Sequence, residues 1–239
     1  MLSQRKDNPM FELGEVISYR EMCSEEDASL QHGMHHRLRN SYSVLLMSER
    51  PGAPYNDETR ENGKVLIYEG HDIPNWKNGP NPKDVDQPMF NQSGSLSRNG
   101  LFFQSAEAYK QGKPAEIVKV YEKIRPGIWT YNGLFRLVDA WLEKIDKRKV
   151  FKFKLDLIEN QLTNIHNQGV DLDHPRIIPS NVKREVWKRD GGKCVLCGSE
   201  DNLHFDHIIP YSKGGTSLVA ENIQLLCARH NLQKRDNIE

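Results

Sequence analysis

Cysteine is scarce in this chain, and the few cysteines are unevenly placed. The 239 residues contain four, three of which fall between positions 194 and 227. Such a small, clustered set argues against a disulfide scaffold and favours a reduced intracellular protein with a metal site. No apolar run approaches the roughly 20 residues that span a bilayer, and the first residues form no apolar signal segment. These absences predict a cytoplasmic protein with no membrane partner.

An excess of charge of either sign is also lacking, because 33 Lys and Arg residues balance 33 Asp and Glu residues. No global basic field therefore indicates a nucleic-acid partner, and any such surface must be a local patch. The chain is 37% hydrophobic and 28% charged, which is typical of a soluble globular protein with a substantial core.

Short apolar runs separated by turn residues fill the chain up to about residue 160 and predict strands. In the clearest run, four apolar residues from Phe151 to Leu157 alternate with Lys152, Lys154 and Asp156, the period of a half-buried strand. Together they indicate an all-β barrel or sandwich with one or two helices. The other predicted strands are 14–22, 41–48, 64–70, 115–124 and 133–144, and 105–112 is a candidate helix.

Residues 161–180 are polar and end near two prolines, which predicts a linker. A basic helix is predicted to follow from Asn181, with Val186 and Trp187 on its apolar face. An isolated charge run of this kind is usually a solvated face. Because this one abuts candidate metal ligands, we favour contact with nucleic-acid phosphates. The basic residues are Lys183, Arg184, Lys188, Arg189 and Lys193.

Two short ligand pairs predict a zinc site. Cys194 and Cys197 form a CxxC pair, and Cys227 and His230 form a CxxH pair. Four such ligands enclose Zn²⁺ tetrahedrally and leave no open position, so the zinc is structural. The alternative, three inert buried cysteines and a surface histidine, is disfavoured because two facing two-residue spacings rarely arise by chance.

Zinc does not explain the Asp206-His207 pair between these ligands. The pair lies in an alternating strand, and a helix after the last cysteine carries Asn231, which predicts a ββα unit. Aspartate and asparagine oxygens suit Mg²⁺ or Mn²⁺, and a neighbouring histidine can take a proton from water. This pattern predicts metal-assisted phosphodiester hydrolysis. A zinc-binding module without catalysis would have no use for these residues.

Residues 181–236 resemble an HNH endonuclease of the zinc-bound ββα-metal kind, through VWKRDGGKCVLCG, LHFDHIIPYSKGG and ENIQLLCARHN. By position, the resemblance implies that His207 is the general base and Asp206 a ligand of the catalytic metal. It implies that Asn222 holds the hairpin loop and positions the histidine, and that Asn231 is the second metal ligand. Many members have histidine in place of Asn231, and cysteine in place of His230 as the fourth zinc ligand.

Residues 12–157 resemble the SRA (YDG) domain, through SYSVLLMSERPGAPYNDE, VLIYEGHD and YNGLFRLVDAW. Asn132 stands where the YDG signature has aspartate. The resemblance implies a PUA-like twisted β-barrel with flanking helices that recognises 5-methylcytosine or a related base. The chain is thus expected to be α+β, with an SRA-like domain at 1–160, a linker at 161–180 and an HNH domain at 181–239.

The SRA resemblance also implies a pocket that holds a flipped cytosine between two aromatic rings. By position, Tyr68 matches one ring, and Tyr55 matches the other less closely because the loop differs in length. Asp57 matches the carboxylate that reads the cytosine amine, with Glu58 as the alternative. Glu69 stands where the family often has a small hydroxyl residue that packs on the methyl group, which favours 5-hydroxymethylcytosine here.

Fusions of these two domains form modification-dependent restriction endonucleases, so we expect a DNA endonuclease of the bacterial cytoplasm. Its partner is double-stranded DNA that carries modified cytosine, and a double-strand break would call for a homodimer or sequential nicking. Two alternatives stay open. One is an HNH nickase that is indifferent to modification, and the other is a reader of modified DNA without catalysis.

Overall fold

The computed structural model describes residues 11–38, 42–158, 177–210 and 213–234. Residues 11–158 form a sheet domain, in which helix α1 is Tyr19–Glu25 and helix α2 is Arg98–Lys110. The described strands of this domain are β1 (Val16–Ser18), β2 (Met34–His35), β3 (Ser43–Met47), β4 (Glu58–Arg60), β5 (Val65–Glu69), β6 (Glu116–Arg125), β7 (Ile128–Ile145) and β8 (Arg148–Leu157).

All eight strands belong to one sheet in the order β2-β3-β6-β7-β8-β5-β4, with β1 paired to β7 off this path. The β3–β6 pairing is parallel, whereas the other pairings are antiparallel. Strands β7 and β8 form a long central hairpin in which Ile145 pairs with Arg148. The predicted strands 41–48, 64–70, 115–124, 133–144 and 150–158 all fall on observed strands, and the mixed α+β class is confirmed.

The sheet carries an apolar cluster on each face, because successive strand residues point to opposite sides. Leu45 belongs to the cluster that packs under Phe102 and Ala106 of α2. Its neighbour Val44 belongs to the second cluster, which packs under Met22 of α1. The two short helices thus complete two cores that share one sheet.

The predicted strand at 14–22 is correct only for its middle, because the chain turns into α1 at Tyr19. Ser18 and Glu21 form a reciprocal capping box: the Ser18 hydroxyl accepts from the Glu21 N–H at 3.2 Å, and the Glu21 carboxylate accepts from the Ser18 N–H at 2.7 Å. This cap satisfies backbone donors that a strand would have paired with its neighbour. The candidate helix at 105–112 is the end of α2, which starts earlier, after the Ser97 cap.

Residues 177–234 form a smaller C-terminal unit around the predicted ββα arrangement. Helix α3 (Ser180–Arg189) precedes a two-stranded antiparallel hairpin of β9 (Leu203–His207) and β10 (Ile223–Cys227), and helix α4 (Ala228–Lys234) follows. Val182 and Val186 of α3 pack with Leu225 and Leu226 of β10 in a separate small core.

The N-terminal strand segment joins the two parts. The Phe205 N–H of β9 donates to the carbonyl of Gly14 at 3.2 Å, and Glu15 forms a bridge with His204. Val16 pairs with β7 of the sheet domain but packs against the core of the C-terminal unit. His204 is consequently only 7% exposed. The same short segment therefore contributes backbone pairing to both parts.

The linker prediction falls largely outside the described residues, since 159–176 are not described. Ile177 and Ile178 are both buried: Ile177 packs in the sheet-domain core, and Ile178 in the core of the C-terminal unit. Ser180 already belongs to α3. In the described part of the chain, no helix is both long and apolar enough to cross a membrane.

Candidate active site and ligand cavity

The four predicted zinc ligands converge on one point. Cys194 Sγ lies 3.3 Å from His230 Nδ1, Cys227 Sγ lies 3.4 Å from the same nitrogen, and Cys197 Sγ lies 3.9 Å from Cys227 Sγ. Zinc–sulfur bonds of about 2.3 Å and zinc–nitrogen bonds of about 2.0 Å require similar separations in a tetrahedron. The donor set and its spacing fit Zn²⁺, which this cluster could hold.

Local backbone structure prepares Cys194 for this role. The Gly198 N–H donates to the Cys194 carbonyl at 2.8 Å, which closes the turn between the first two ligands. Burial alone would raise the pKa of the Cys194 thiol, but backbone N–H groups and His230 lower that pKa to about 6. The thiolate, which is the metal-binding form, is therefore favoured at neutral pH.

Asn222 fixes the loop that connects β9 to β10. Its side-chain oxygen accepts from the Ile209 N–H at 2.8 Å, and its amide donates to the carbonyls of Ile209 and Thr216 at 3.2 and 2.9 Å. Gly215 must be glycine here, since a Cβ atom would lie 1.8 Å from the Ile209 carbonyl oxygen. All the polar groups of the Asn222 side chain thus hold the loop against the end of β9, next to His207.

His207 is oriented by a residue that the sequence reasoning missed. Its Nε2 lies 2.8 Å from the hydroxyl of Ser217, which is 2% exposed. When Nε2 carries the proton and donates to this hydroxyl, Nδ1 is the basic nitrogen of the ring. The bond fixes the orientation of the imidazole.

Lys234 is a second missed residue at this site. Its ammonium lies 2.7 Å from Asp206 Oδ2 and also donates to the His207 carbonyl. The Lys234 side chain is 1% exposed, whereas that of Asp206 is 18% exposed. Asn231 lies three residues earlier on α4, so it shares the face that meets β9. The three-residue spacing between Asn231 and Lys234 was the signal in the sequence that could have placed Lys234 at this site.

Asp206 and Asn231 are the residues that could hold a catalytic metal. A carboxylate and a carboxamide oxygen are donors that suit Mg²⁺ or Mn²⁺. The partial exposure of Asp206 leaves access for water and a phosphate group. The chemistry of the donors fits a hard divalent cation, with Lys234 as an additional positive charge on the carboxylate.

The prediction that Lys183 contacts DNA phosphate is wrong. Its side chain is 2% exposed, and its ammonium lies 2.9 Å from Glu122 Oε2 and 2.6 Å from Asn132 Oδ1. Burial would raise the pKa of Glu122, but Lys183 and Asn132 help to lower that pKa below its usual value. Lys183 therefore joins the C-terminal unit to β6 and β7 of the sheet domain.

The other four basic residues differ in availability. Arg184 is half-buried and donates to the Glu49 carbonyl, while Arg189 donates to the carbonyls of Ala220 and Ile223 at 2.7 and 2.6 Å. Lys188 is exposed, as is Lys193, which pairs with Glu200 at 3.0 Å. The two lysines are the better placed for a solvent-side phosphate, and their role in DNA contact stays a prediction.

A cavity of about 490 Å³ lies beside strands β5, β7 and β8 of the sheet domain. Of the predicted pocket residues, Tyr55, Asp57 and Glu58 line it, together with Trp141 and Lys152. Both oxygens of Asp57 accept backbone N–H groups, from Ser48 at 2.9 Å and from Glu69 at 3.1 Å. Burial nevertheless raises the Asp57 pKa to about 7, against the opposing effect of these bonds. Glu58 is exposed and pairs with Arg60 at 2.8 Å.

Glu69 is placed differently from what was predicted. It is 2% exposed and does not line the cavity. Its carboxylate pairs with Lys152 at 3.0 Å and with Arg148 at 3.4 Å. The same pairing explains why Lys152, which the strand pattern placed on the solvent face, is buried. The Glu69 carboxylate therefore belongs to an ion-pair network with Lys152 and Arg148 and not to the cavity lining.

The two predicted pocket tyrosines meet at a histidine that sequence reasoning missed. Tyr55 stacks on His71 with ring centroids 5.2 Å apart, and the Tyr68 hydroxyl lies 3.0 Å from His71 Nε2. Tyr68 itself is 1% exposed and also donates to the Gly33 carbonyl at 3.1 Å. Burial, followed by the charges of Arg98 and neighbouring histidines, lowers the pKa of His71 to about 4, so the imidazole is neutral at pH 7.

Fold and site together define a two-part chain, with a mixed sheet domain followed by a ββα unit of the zinc-bound type. A SAD/SRA domain model matches residues 7–161, and an HNH endonuclease model matches residues 194–237. The first match covers more than half of the chain. The chain belongs to the SAD/SRA domain family, and its C-terminal unit is an HNH endonuclease domain, which supports a nuclease.

Several solved structures are similar to this chain. The SUVH5 SRA domain in complex with hemi-methylated CG DNA has 24% identity and a TM-score of 0.45, over 63% of this chain and 91% of that one. The same domain bound to fully hydroxymethylated CG DNA has 24% identity and a TM-score of 0.44 over the same shares. The modification-dependent TagI restriction endonuclease has 19% identity and a TM-score of 0.41, over 94% of this chain and 78% of that one. A comparison with curated protein sequences found no match.

Proposed function

We propose that this protein is a modification-dependent DNA endonuclease of the type IV restriction kind. The observation that carries the proposal is the joining of an SRA-family domain with a base-sized cavity to an HNH domain that presents Asp206 and His207. The sheet domain locates a modified cytosine, and the HNH domain hydrolyses a nearby phosphodiester. We place the division between the two at the linker of residues 161–180.

The reading step uses base flipping of 5-methylcytosine or 5-hydroxymethylcytosine. A protein cannot enclose a cytosine that stays stacked in the duplex, so the base must rotate out at a cost of a few kcal/mol. A cavity of about 490 Å³ lies within the range of small-ligand pockets. Tyr55 supplies an aromatic face, and Asp57 supplies a carboxyl group for the cytosine edge.

The cutting step rests on the hairpin residues. His207 takes a proton from the attacking water through Nδ1, while Ser217 holds Nε2. Asn222 keeps the loop closed so that the imidazole stays in place. Asp206 and Asn231 would hold Mg²⁺ or Mn²⁺, which when bound would neutralise charge on the scissile phosphate. Cys194, Cys197, Cys227 and His230 hold the structural Zn²⁺ that keeps this hairpin folded.

Plasmid cleavage tests the proposal against its two alternatives. We expect cleavage of a plasmid with modified cytosine, little cleavage of an unmodified one, and none with either after chelation of the catalytic metal. Equal cleavage of both plasmids would identify an HNH nickase or endonuclease that is indifferent to modification. Selective binding without any cleavage would identify a reader of modified DNA.

A further inference from the structure

The ring of Tyr55 is covered by two other side chains. His71 stacks on it with an interplanar angle of 13°, and the Lys83 ammonium lies 4.3 Å from the ring centroid. Lys83 is 44% exposed in its side chain, and its ammonium also pairs with the buried Asp72 carboxylate at 2.8 Å and donates to the Pro54 carbonyl. The His71 stack is the more persistent cover, because the imidazole is largely buried. A flipped base must replace at least one of them to stack on Tyr55.

The position of His71 is fixed at its backbone. Asn99 Oδ1 accepts from the His71 N–H at 2.8 Å, and Asn99 Nδ2 donates to the His71 carbonyl at 2.8 Å. Asn99 belongs to α2 and is 1% exposed. Gly33 makes room for the imidazole, since a Cβ atom there would lie 2.9 Å from His71 Nε2. The main chain is therefore clamped, and rotation of the side chain is the movement that remains.

The two tyrosines do not form a parallel pair of rings around His71. The His71 ring makes angles of 13° with Tyr55 and 43° with Tyr68, so the tyrosine planes differ by at least 30° (43° minus 13°). A flat base needs two nearly parallel rings with room for its own thickness. The imidazole instead stacks on one tyrosine and hydrogen-bonds to the other.

We propose that His71 occupies, in the DNA-free protein, the place against Tyr55 that the flipped cytosine takes in the complex. This inference rests on the base-flipping function proposed above and adds a residue that determines its specificity. His71 does not line the cavity, so a base in the cavity reaches the face of Tyr55 that His71 covers only by displacing this imidazole. Modified cytosine makes more contacts in the pocket and therefore displaces the imidazole, whereas unmodified cytosine stays stacked in the duplex.

Substitution of His71 tests this internal competition. In His71→Ala, loss of the stack and of the hydrogen bond to Tyr68 should tighten binding to a modified duplex roughly tenfold. His71→Gln keeps a hydrogen-bonding group without the ring and should also tighten binding. His71→Phe keeps a ring on Tyr55 and should not. Tyr109→Ala removes an exposed aromatic ring from the same domain and serves as the matched control.

Binding titrations at fixed salt should use modified and unmodified duplexes with 2-aminopurine beside the target cytosine, whose fluorescence reports unstacking. The expected result is stronger binding and a larger fluorescence change for His71→Ala and His71→Gln with the modified duplex. Weaker binding by both variants, with His71→Phe unchanged, would make His71 a stacking platform and overturn the proposal. Unchanged binding would also overturn it. A wild type without preference or fluorescence change would instead refute base flipping itself.

Discussion

Two acidic side chains near the cavity, Asp57 and Glu69, have different surroundings although the Glu69 backbone N–H donates to the Asp57 carboxylate. Glu69 is paired directly with two cations. Asp57 receives two backbone N–H groups, and burial raises its pKa from 3.8 to about 7. The carboxyl group that faces the cavity can thus change charge near neutral pH, and its proton decides whether it donates to or only accepts from a cytosine edge.

This pKa shift predicts a pH-dependent stability difference between the wild type and Asp57→Asn. Folding favours the neutral carboxyl, so its contribution to the free energy of unfolding is complete below about pH 4 and is lost as the pH rises to about 7. The variant lacks this dependence. Its free energy of unfolding relative to that of the wild type should therefore rise from pH 5 to pH 7 and stay constant above pH 7. Denaturant titrations at fixed salt measure the difference. A difference that stays constant over this range would contradict the pKa shift.

The proposed general-base role of His207 makes a second residue-level prediction. His207→Ala should lower the cleavage rate by a factor of about 10² to 10⁴, because a general base acts in the transition state. The affinity for DNA should stay near the wild-type value, since the residue contributes little to ground-state binding. Single-turnover cleavage and binding titrations on the same modified duplex separate the two quantities. Near-normal cleavage by the variant would refute the assignment.

At the scale of elements, the β9–β10 hairpin depends on the metal more than the large sheet does. The small core of the C-terminal unit is completed by two of the zinc ligands, Cys194 and Cys227. The sheet domain has two apolar clusters of its own, neither of which involves these cysteines. Metal binding should therefore be coupled to folding of the C-terminal unit alone.

Removal of zinc tests this division. A strong chelator, or the variant Cys197→Ser, should expose residues after about 181 to proteolysis and leave the sheet domain intact. Cys23→Ser is the matched control, since Cys23 lies outside the cluster and should keep the full zinc content. Metal analysis and limited proteolysis provide the measurements. Active wild-type protein without zinc would exclude the structural role.

Strands and ligand pairs were predictable from the sequence because their signals are local. The alternation of apolar and polar residues predicted β8. The CxxC and CxxH pairs predicted where the metal ligands lie on either side of the β9–β10 hairpin. The register-dependent features were not predictable in this way. Lys183 looked like a solvent-facing helix residue, and only the docking of α3 on β6 and β7 buries it. His71 stacks on Tyr55, and Lys234 pairs with Asp206. Neither contact is visible in the sequence, because the partners are distant along the chain.

At the scale of the whole molecule, the sheet domain and the HNH domain meet in a junction that contains a buried ion pair. Lys183 comes from α3, and its partners Glu122 and Asn132 come from adjacent strands of the sheet domain. Glu49, which lines the cavity, also accepts a hydrogen bond from the Ser180 hydroxyl at 3.3 Å. The junction therefore links the cavity to the helix that precedes the predicted zinc ligands.

This junction gives Lys183 a different mutational signature from Lys188, five residues along the same helix. Lys183→Met leaves the Glu122 carboxylate buried without its cation and should cost about 3–5 kcal/mol of stability, much of which the double variant with Glu122→Gln should restore. Lys188→Ala should leave stability unchanged and weaken binding to modified and unmodified duplexes alike. It should also reduce the slope of log affinity against log salt by about 0.9. Chemical denaturation and salt-dependent binding titrations measure both effects. A reduced salt slope in the folded double variant would show that Lys183 contacts DNA phosphates after all.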